Sequence, residues 1–159
     1  MTEENLILSI SGVTIEKRGP ARGAGLALNE LVTPESSGRL WGRLYLCCKN
    51  LPATDPPFGL RHGAERYEAC WPLLPGHPLS EGLAEFELPG GLYAVAVHEG
   101  AYDKIAQTLE GMLKKWLPQS GFSRGDGPVI ERYLNDPRGV PEEGLRTEVC
   151  LPVTPDPVE

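Results

Sequence analysis

Two ten-residue segments 80 positions apart can be laid over one another: Arg66-Tyr67-Glu68-Ala69-Cys70-Trp71-Pro72-Leu73-Leu74-Pro75 and Arg146-Thr147-Glu148-Val149-Cys150-Leu151-Pro152-Val153-Thr154-Pro155. They are identical at five of ten positions, Arg66/Arg146, Glu68/Glu148, Cys70/Cys150, Pro72/Pro152 and Pro75/Pro155. Self-similarity at a fixed spacing constrains a fold more than local propensity does, because both copies must find equivalent places. Each copy reads as a strand closed by proline, which cannot donate to a sheet ladder.

The elements before each copy follow one order. Ile105, Leu109, Met112, Leu113, Trp116 and Leu117 fall on one helical face that Pro118 ends. Leu40, Leu44, Cys48 and Leu51 repeat the spacing more weakly in a helix opening after Ser36-Ser37 and ending at Pro52. A leading strand precedes each helix, clearest in Leu92 to His98, where Tyr93, Val95 and Val97 share a face. Hairpins follow: Phe58 to His62 with Arg66 to Leu74 across Gly63, and Pro128 to Leu134 with Leu145 to Val153 across Asn135-Asp136-Pro137-Arg138-Gly139.

The expected fold is therefore α+β, with two βαββ repeats in one domain spanning residues 1–159. Repeat 1 covers about 6–75, a Pro/Gly-containing linker about 76–82 and repeat 2 about 83–154, with a loose tail from Pro155.

Charge excludes one class of partner. The 15 Lys and Arg against 22 Asp and Glu give a net charge of -7, which repels a phosphate backbone, so no nucleic acid is expected to bind. The start, Met1-Thr2-Glu3-Glu4-Asn5, is acidic and precedes a short apolar run, fitting neither a secretion signal nor a membrane span. No membrane association is expected, and the expected location is the cytoplasm.

Cys47, Cys48, Cys70 and Cys150 lack CxxC spacing and read as reduced, mostly buried small hydrophobes. His62, His77 and His98 have no partner at metal-ligand spacing, and the glycines near Gly19, Gly23 and Gly25 lack the Lys-Ser/Thr ending of a phosphate loop. Neither metal nor cofactor is expected.

The second half also carries Leu88-Pro89-Gly90-Gly91-Leu92-Tyr93-Ala94-Val95-Ala96-Val97-His98-Glu99-Gly100-Ala101-Tyr102, then Trp116, then Pro128-Val129-Ile130-Glu131-Arg132-Tyr133-Leu134-Asn135-Asp136-Pro137, and finally Thr147 to Val153. On these residues the chain resembles the GyrI-like small-molecule-binding family, which also supplies effector domains to AraC-type and multidrug-sensing transcription regulators. The first half resembles it mainly in the helix Arg39 to Leu51 and the strand Tyr67 to Pro72, and departs from it around Gly19 to Glu30. The resemblance implies two βαββ repeats (the SHV2 arrangement) related by a pseudo-twofold. It places the helices on one side of the sheet and a ligand cleft between the halves on the other side, with an acidic residue where Glu131 stands.

The residues themselves single out the same acid, since Val129, Glu131 and Tyr133 alternate onto one strand face that is otherwise apolar and aromatic. From spacing alone, Glu131 either sits in solvent on an edge strand or pairs with Arg61 or Arg132. Superposing the hairpins sets Leu60 opposite it, so the acid occurs in one copy only. The candidate walls are Tyr133, Tyr93 and Trp71, with Tyr45, Trp41, Tyr67 and Phe58 behind them. Trp116 belongs to the core stripe, and His98 and Tyr102 close the turn into the second helix.

A carboxylate walled by aromatic rings suits an amphipathic ligand, cationic or aromatic, each ring adding about 0.5–2 kcal/mol of cation–π attraction. The chain is thus expected to bind such small molecules. A second expectation, drawn from the resemblance, is a hydrolase opening cyclopropane-bearing electrophiles with Glu131 as proton-transfer group and Tyr133 and Trp71 around it. A third is a gyrase-inhibitor-like role of binding protein. Nothing in the sequence sets the oligomeric state.

Overall fold

The computed structural model describes residues 12–49, 51, 55–74 and 76–158. Among these residues nine strands form one antiparallel sheet: β1 (Thr14–Arg18), β2 (Ala21–Leu28), β3 (Phe58–Arg61), β4 (Tyr67–Pro72), β5 (Ala84–Leu88), β6 (Gly91–Glu99), β7 (Phe122–Arg124), β8 (Val129–Tyr133) and β9 (Arg146–Pro155). The order is β1-β6-β9-β8-β3-β4-β2-β5, with β7 beside the end of β9. The α+β class, the helices on one side of the sheet and both expected hairpins are present. Residues 76–82 carry neither strand nor helix.

The leading strands of the two halves are exchanged, which sequence reading did not foresee. β1 runs into β2 through Gly19-Pro20 yet pairs with β6, and β5 runs into β6 through Pro89-Gly90 yet pairs with β2. Two-residue links cannot span a flat sheet of eight strands at about 4.8 Å each, so the sheet curls into a half-barrel that brings its ends together. The links then pass closely: a Cβ on Gly90 would lie 2.9 Å from the Pro20 nitrogen. Two further expectations change here. The family-like pattern missing around Gly19 to Glu30 is the glycine-rich strand β2, and the tail is ordered as far as Pro155 because β7 pairs with it (Phe122↔Pro155, Arg124↔Val153).

Helix α1 (Pro34–Cys48) starts two residues before the expected Ser36-Ser37 opening. Thr33 caps it reciprocally: its Oγ1 accepts from the Ser36 amide at 3.0 Å while its own amide donates to Ser36 Oγ at 2.8 Å. Such a cap is worth about 1 kcal/mol, and Pro34 at the first helical position has its φ already set. Its apolar stripe, Leu40, Leu44 and Cys48, is buried against β2 and β4 together with Ala24, Tyr67 and Ala69. Pro52, expected to end this helix, lies outside the described residues, as do residues 6–11 of the expected first repeat.

The second helical stretch opens with a tight turn at Tyr102–Lys104, continues as α2 (Ile105–Gly111), widens over Met112–Trp116 and closes in another tight turn at Leu117–Gln119 containing Pro118. Ile105 and Met112 bury against Ala94, Ala96, Val149 and Leu151, and Trp116 packs on the same cluster, stacked on Phe122. The opposite sheet face has its own core of Phe58, Leu60, Cys70, Tyr93, Val95, Ile130 and Cys150, with Phe86 and Leu88 of β5. Residues of β5 and β6 share that cluster although their strands lie near opposite ends of the sheet, so it fills the inside of the curl. Cys48, Cys70 and Cys150 are free and buried, while Cys47 is free and exposed. No helix among the described residues is long and apolar enough to cross a membrane.

Close strand contact constrains Gly25, where a Cβ would sit 2.1 Å from the Ala69 carbonyl oxygen. Gly25→Ala is expected to destabilise the fold by about 1–3 kcal/mol, because a backbone atom cannot move aside as a side-chain tip can. A thermal unfolding midpoint within 1 °C of wild type, below the shift of about 2–12 °C implied here, would contradict this.

Candidate functional site

Glu131 lies in the middle of the sheet, because β8 pairs on one side with β3 (Gly59↔Glu131) and on the other with β9 (Glu131↔Val149). Gly59 is therefore its neighbour across the strands, and since Gly59 pairs with Ala69 as Glu131 pairs with Val149, Gly59 and not Leu60 also holds the equivalent place in the first hairpin. A Cβ at Gly59 would fall 2.1 Å from the Tyr67 hydroxyl. The missing side chain is the space in which that hydroxyl sits.

At 2% exposure, an ionised carboxylate needs both charge and hydrogen bonds around it. Arg61 Nε donates to Glu131 Oε2 at 2.8 Å, and Tyr133 donates its hydroxyl proton to Oε1 at 2.9 Å. Of the alternatives open in the sequence, the Arg61 pair is the one formed. Arg132, one residue along the strand, points to the other face and pairs with Glu148, which also holds Arg18.

A polar chain runs outward from the carboxylate. The Tyr133 and Tyr67 hydroxyl oxygens are 2.6 Å apart, and Trp41 Nε1 donates to Tyr67 at 2.8 Å. Trp41 can only donate, which leaves the Tyr67 proton for Tyr133 and the Tyr133 proton for Glu131. Burial, reinforced by the negative charge of Glu131, pushes both tyrosines above the ordinary phenol range, so both stay protonated. Burial is the largest single effect on Arg61 and opposes its charge, but the bond to Glu131, the attraction of that carboxylate and smaller contributions from Tyr133 and Tyr67 together outweigh it, and the guanidinium is held more firmly protonated than usual.

Above this floor opens a cavity of about 940 Å³, walled by Trp41, Tyr45, Tyr67, Trp71, Tyr102 and Tyr133 and reached also by Arg61 and Glu131. Trp41 and Tyr102 both meet the Tyr133 ring edge-on, at 5.2 and 5.3 Å. Gly38 and Gly42 face the same space from α1, where a Cβ would meet nothing within 4 Å. On the rim, Arg138 lies over the Tyr45 ring at 4.0 Å and pairs with Asp136. Trp71 Nε1 is buried without a partner among the described residues.

The cavity is on the helix side of the sheet, between α1 and the start of α2, whereas the resemblance implied the side away from the helices. The reason is the curl: the inner face is already filled by its own core. Six of the eight sequence candidates, Glu131, Tyr133, Trp71, Tyr45, Trp41 and Tyr67, come together around this space. Phe58 and Tyr93 do not, being 2% and 4% exposed in the core of the opposite face, where the Tyr93 hydroxyl is bonded to the Pro89 carbonyl. Strand parity could have separated them, since Phe58 is one residue from Gly59, Glu131's cross-strand neighbour.

Tyr102, expected only to close a turn, is a wall residue, and its place next to Tyr133 depends on a long-range approach that no local signal reports. His98 closes that turn instead, bonding Thr108 Oγ1 and the Ala101 carbonyl through its two ring nitrogens. Among the described residues no three His, Cys, Asp or Glu side chains cluster as metal ligands would.

Because Tyr67 and Tyr133 hold their protons more tightly folded than unfolded, the stability they give is present below about pH 10 and is lost as pH rises through their raised values. Tyr133→Phe should be less stable at pH 8 by about 1–3 kcal/mol, for the two hydrogen bonds lost, to Glu131 and from Tyr67, and should fall less steeply above pH 10. Urea midpoints measured from pH 8 to 11 check this, and parallel curves for the two proteins would refute it.

Comparisons with known proteins agree with this architecture. A 13% identical solved structure, the EcmrR C-terminal domain, superposes with a TM-score of 0.75 over 90% of this chain and 97% of that one. SAV2435, solved bound to tetraphenylphosphonium, is 15% identical with a TM-score of 0.58, covering 89% of this chain and 93% of that one. Among curated proteins, the probable transcriptional regulator YgiV of Escherichia coli (strain K12) is 36% identical over 102 residues, 64% of this chain and 64% of its own length. The model of the GyrI-like small molecule binding domain matches residues 53–154, from before β3 to the last residue but one of β9, and the chain belongs to that family.

Proposed function

We propose that this chain binds amphipathic aromatic small molecules, lipophilic cations among them, in the cavity between α1 and α2. The observation that carries the reading is a buried carboxylate at the floor of an open space of about 940 Å³ whose walls are six aromatic rings. That volume matches a drug-sized ligand, and rings on several sides replace the water such a ligand sheds. Tetraphenylphosphonium, the ligand of SAV2435, combines four aromatic faces with a buried positive charge, the surface these walls and this floor would complement. The net charge of -7 adds a long-range attraction for cations.

Glu131→Gln is expected to weaken tetraphenylphosphonium binding by about 1–3 kcal/mol, the scale of one charge-assisted contact out of water, with the fold retained. Calorimetric titration measures this directly, with circular dichroism as the control on folding. Equal affinities would take Glu131 out of the site.

The Tyr133–Glu131 bond favours a second reading, in which the carboxylate passes a proton to or from an electrophilic ring as water adds to it. A cyclopropane-bearing alkylator incubated with the protein and followed by mass spectrometry separates the two. Multiple turnovers that fall by about 10²-fold or more in Glu131→Gln identify a hydrolase, and stoichiometric retention without product identifies a binder.

A further inference from the structure

A ligand cation and Arg61 need the same partner. Arg61 Nε holds Glu131 Oε2 at 2.8 Å, so the carboxylate at the cavity floor is already neutralised by the chain itself. The two sides of this pair are unlike. Glu131 is 2% exposed and fixed by the Tyr133 hydroxyl, whereas the Arg61 side chain is 31% exposed and bound only through Nε among the described residues.

Arg61 is the last residue of β3, next to the exposed turn His62–Glu65, and its guanidinium leans over the Tyr67 ring at 5.3 Å, a contact one rotamer change would break. It can leave for water by turning its own side chain. Glu131 has no such route.

We propose that Arg61 is an exchangeable counter-ion, displaced into solvent when a cationic ligand takes its place on Glu131 and retained when the ligand is uncharged. The inference rests on the cavity being the ligand site. It gives Arg61 two roles: it keeps the empty site electrically balanced, and it competes with every cation that enters. A floor built this way accepts neutral and cationic aromatic ligands alike, since Arg61 stays on Glu131 for the one and leaves it for the other.

Removing Arg61 breaks that balance. The cation no longer displaces a bonded guanidinium, so its affinity rises.

The test is calorimetric titration of wild type and Arg61→Met with tetraphenylphosphonium, alongside the neutral dye N-phenyl-1-naphthylamine on wild type. The expected result is cation binding about tenfold tighter or more in the variant, the size of one charge contact away from bulk water. The neutral dye should bind wild type with Arg61 still held on Glu131, its Nε–H signal unmoved at saturation.

A second measurement needs no variant: the Arg61 Nε–H signal in a nitrogen-15 spectrum of wild type should move to the position of a solvated arginine at saturating tetraphenylphosphonium. Equal or weaker cation binding by the variant, or an Arg61 signal unmoved by the bound cation, overturns the exchange while leaving the cavity as a ligand site. If Arg61→Met fails to fold, the wild-type spectrum decides alone. Wild type that binds the dye but no cation overturns the exchange and keeps the cavity reading, and wild type that binds neither overturns both.

Discussion

Two links of two residues, Gly19-Pro20 and Pro89-Gly90, join strands that pair at opposite ends of the sheet order, and the rest of the architecture follows from that constraint. With so little chain available, the sheet must curl until its ends meet. Curling makes its two faces unequal. The inner one closes on Phe58, Tyr93, Ile130 and their neighbours and admits no large ligand, while the outer one must be covered by helices. Two helices do not cover it completely. The uncovered strip between α1 and α2 lies over β3, β4 and β8, whose outward side chains become the floor and walls of the cavity.

On that strip the sequence sets a carboxylate where burial would ordinarily favour an apolar residue. A chain of donors aligned toward one acceptor makes the arrangement tolerable: Trp41 to Tyr67, Tyr67 to Tyr133, Tyr133 to Glu131, with Arg61 from the neighbouring strand supplying the opposite charge. Each donor is oriented by the one before it, so the polarity is directional and strengthens toward Glu131. The gap left by Gly59 lets the middle of this chain sit against the sheet.

Much of this was legible beforehand because it is local or periodic. The alternation of Val129, Glu131 and Tyr133 placed the acid and its tyrosine on one face, and the Leu40, Leu44, Cys48 spacing marked the stripe by which α1 docks. The exchange of the leading strands has one physical origin. β1 and β5 are strands of five residues, and although Ala84, Phe86 and Leu88 alternate with Glu85 and Glu87, their partners are fixed by the closure of the whole sheet, not by their own residues. The side of the sheet bearing the cavity depends on the same closure. Phe58 and Tyr93 were grouped with the walls by residue type, although their strand positions send them inward. Gly59 was passed over because the spacing of two short hairpins fixes their relative register only to within a residue.

Gly38 and Gly42 open onto the cavity from α1, whereas every charged or hydroxyl-bearing group of the floor is carried by β3, β4 or β8. The dimensions of the chamber and the charge at its floor are thus written on separate pieces of the chain. Drift at the two helical glycines could narrow the chamber in steps of a methyl group without disturbing the donor chain beneath. Lineages sharing this scaffold can therefore diverge in the bulk of what they admit while keeping one unchanged electrostatic grammar.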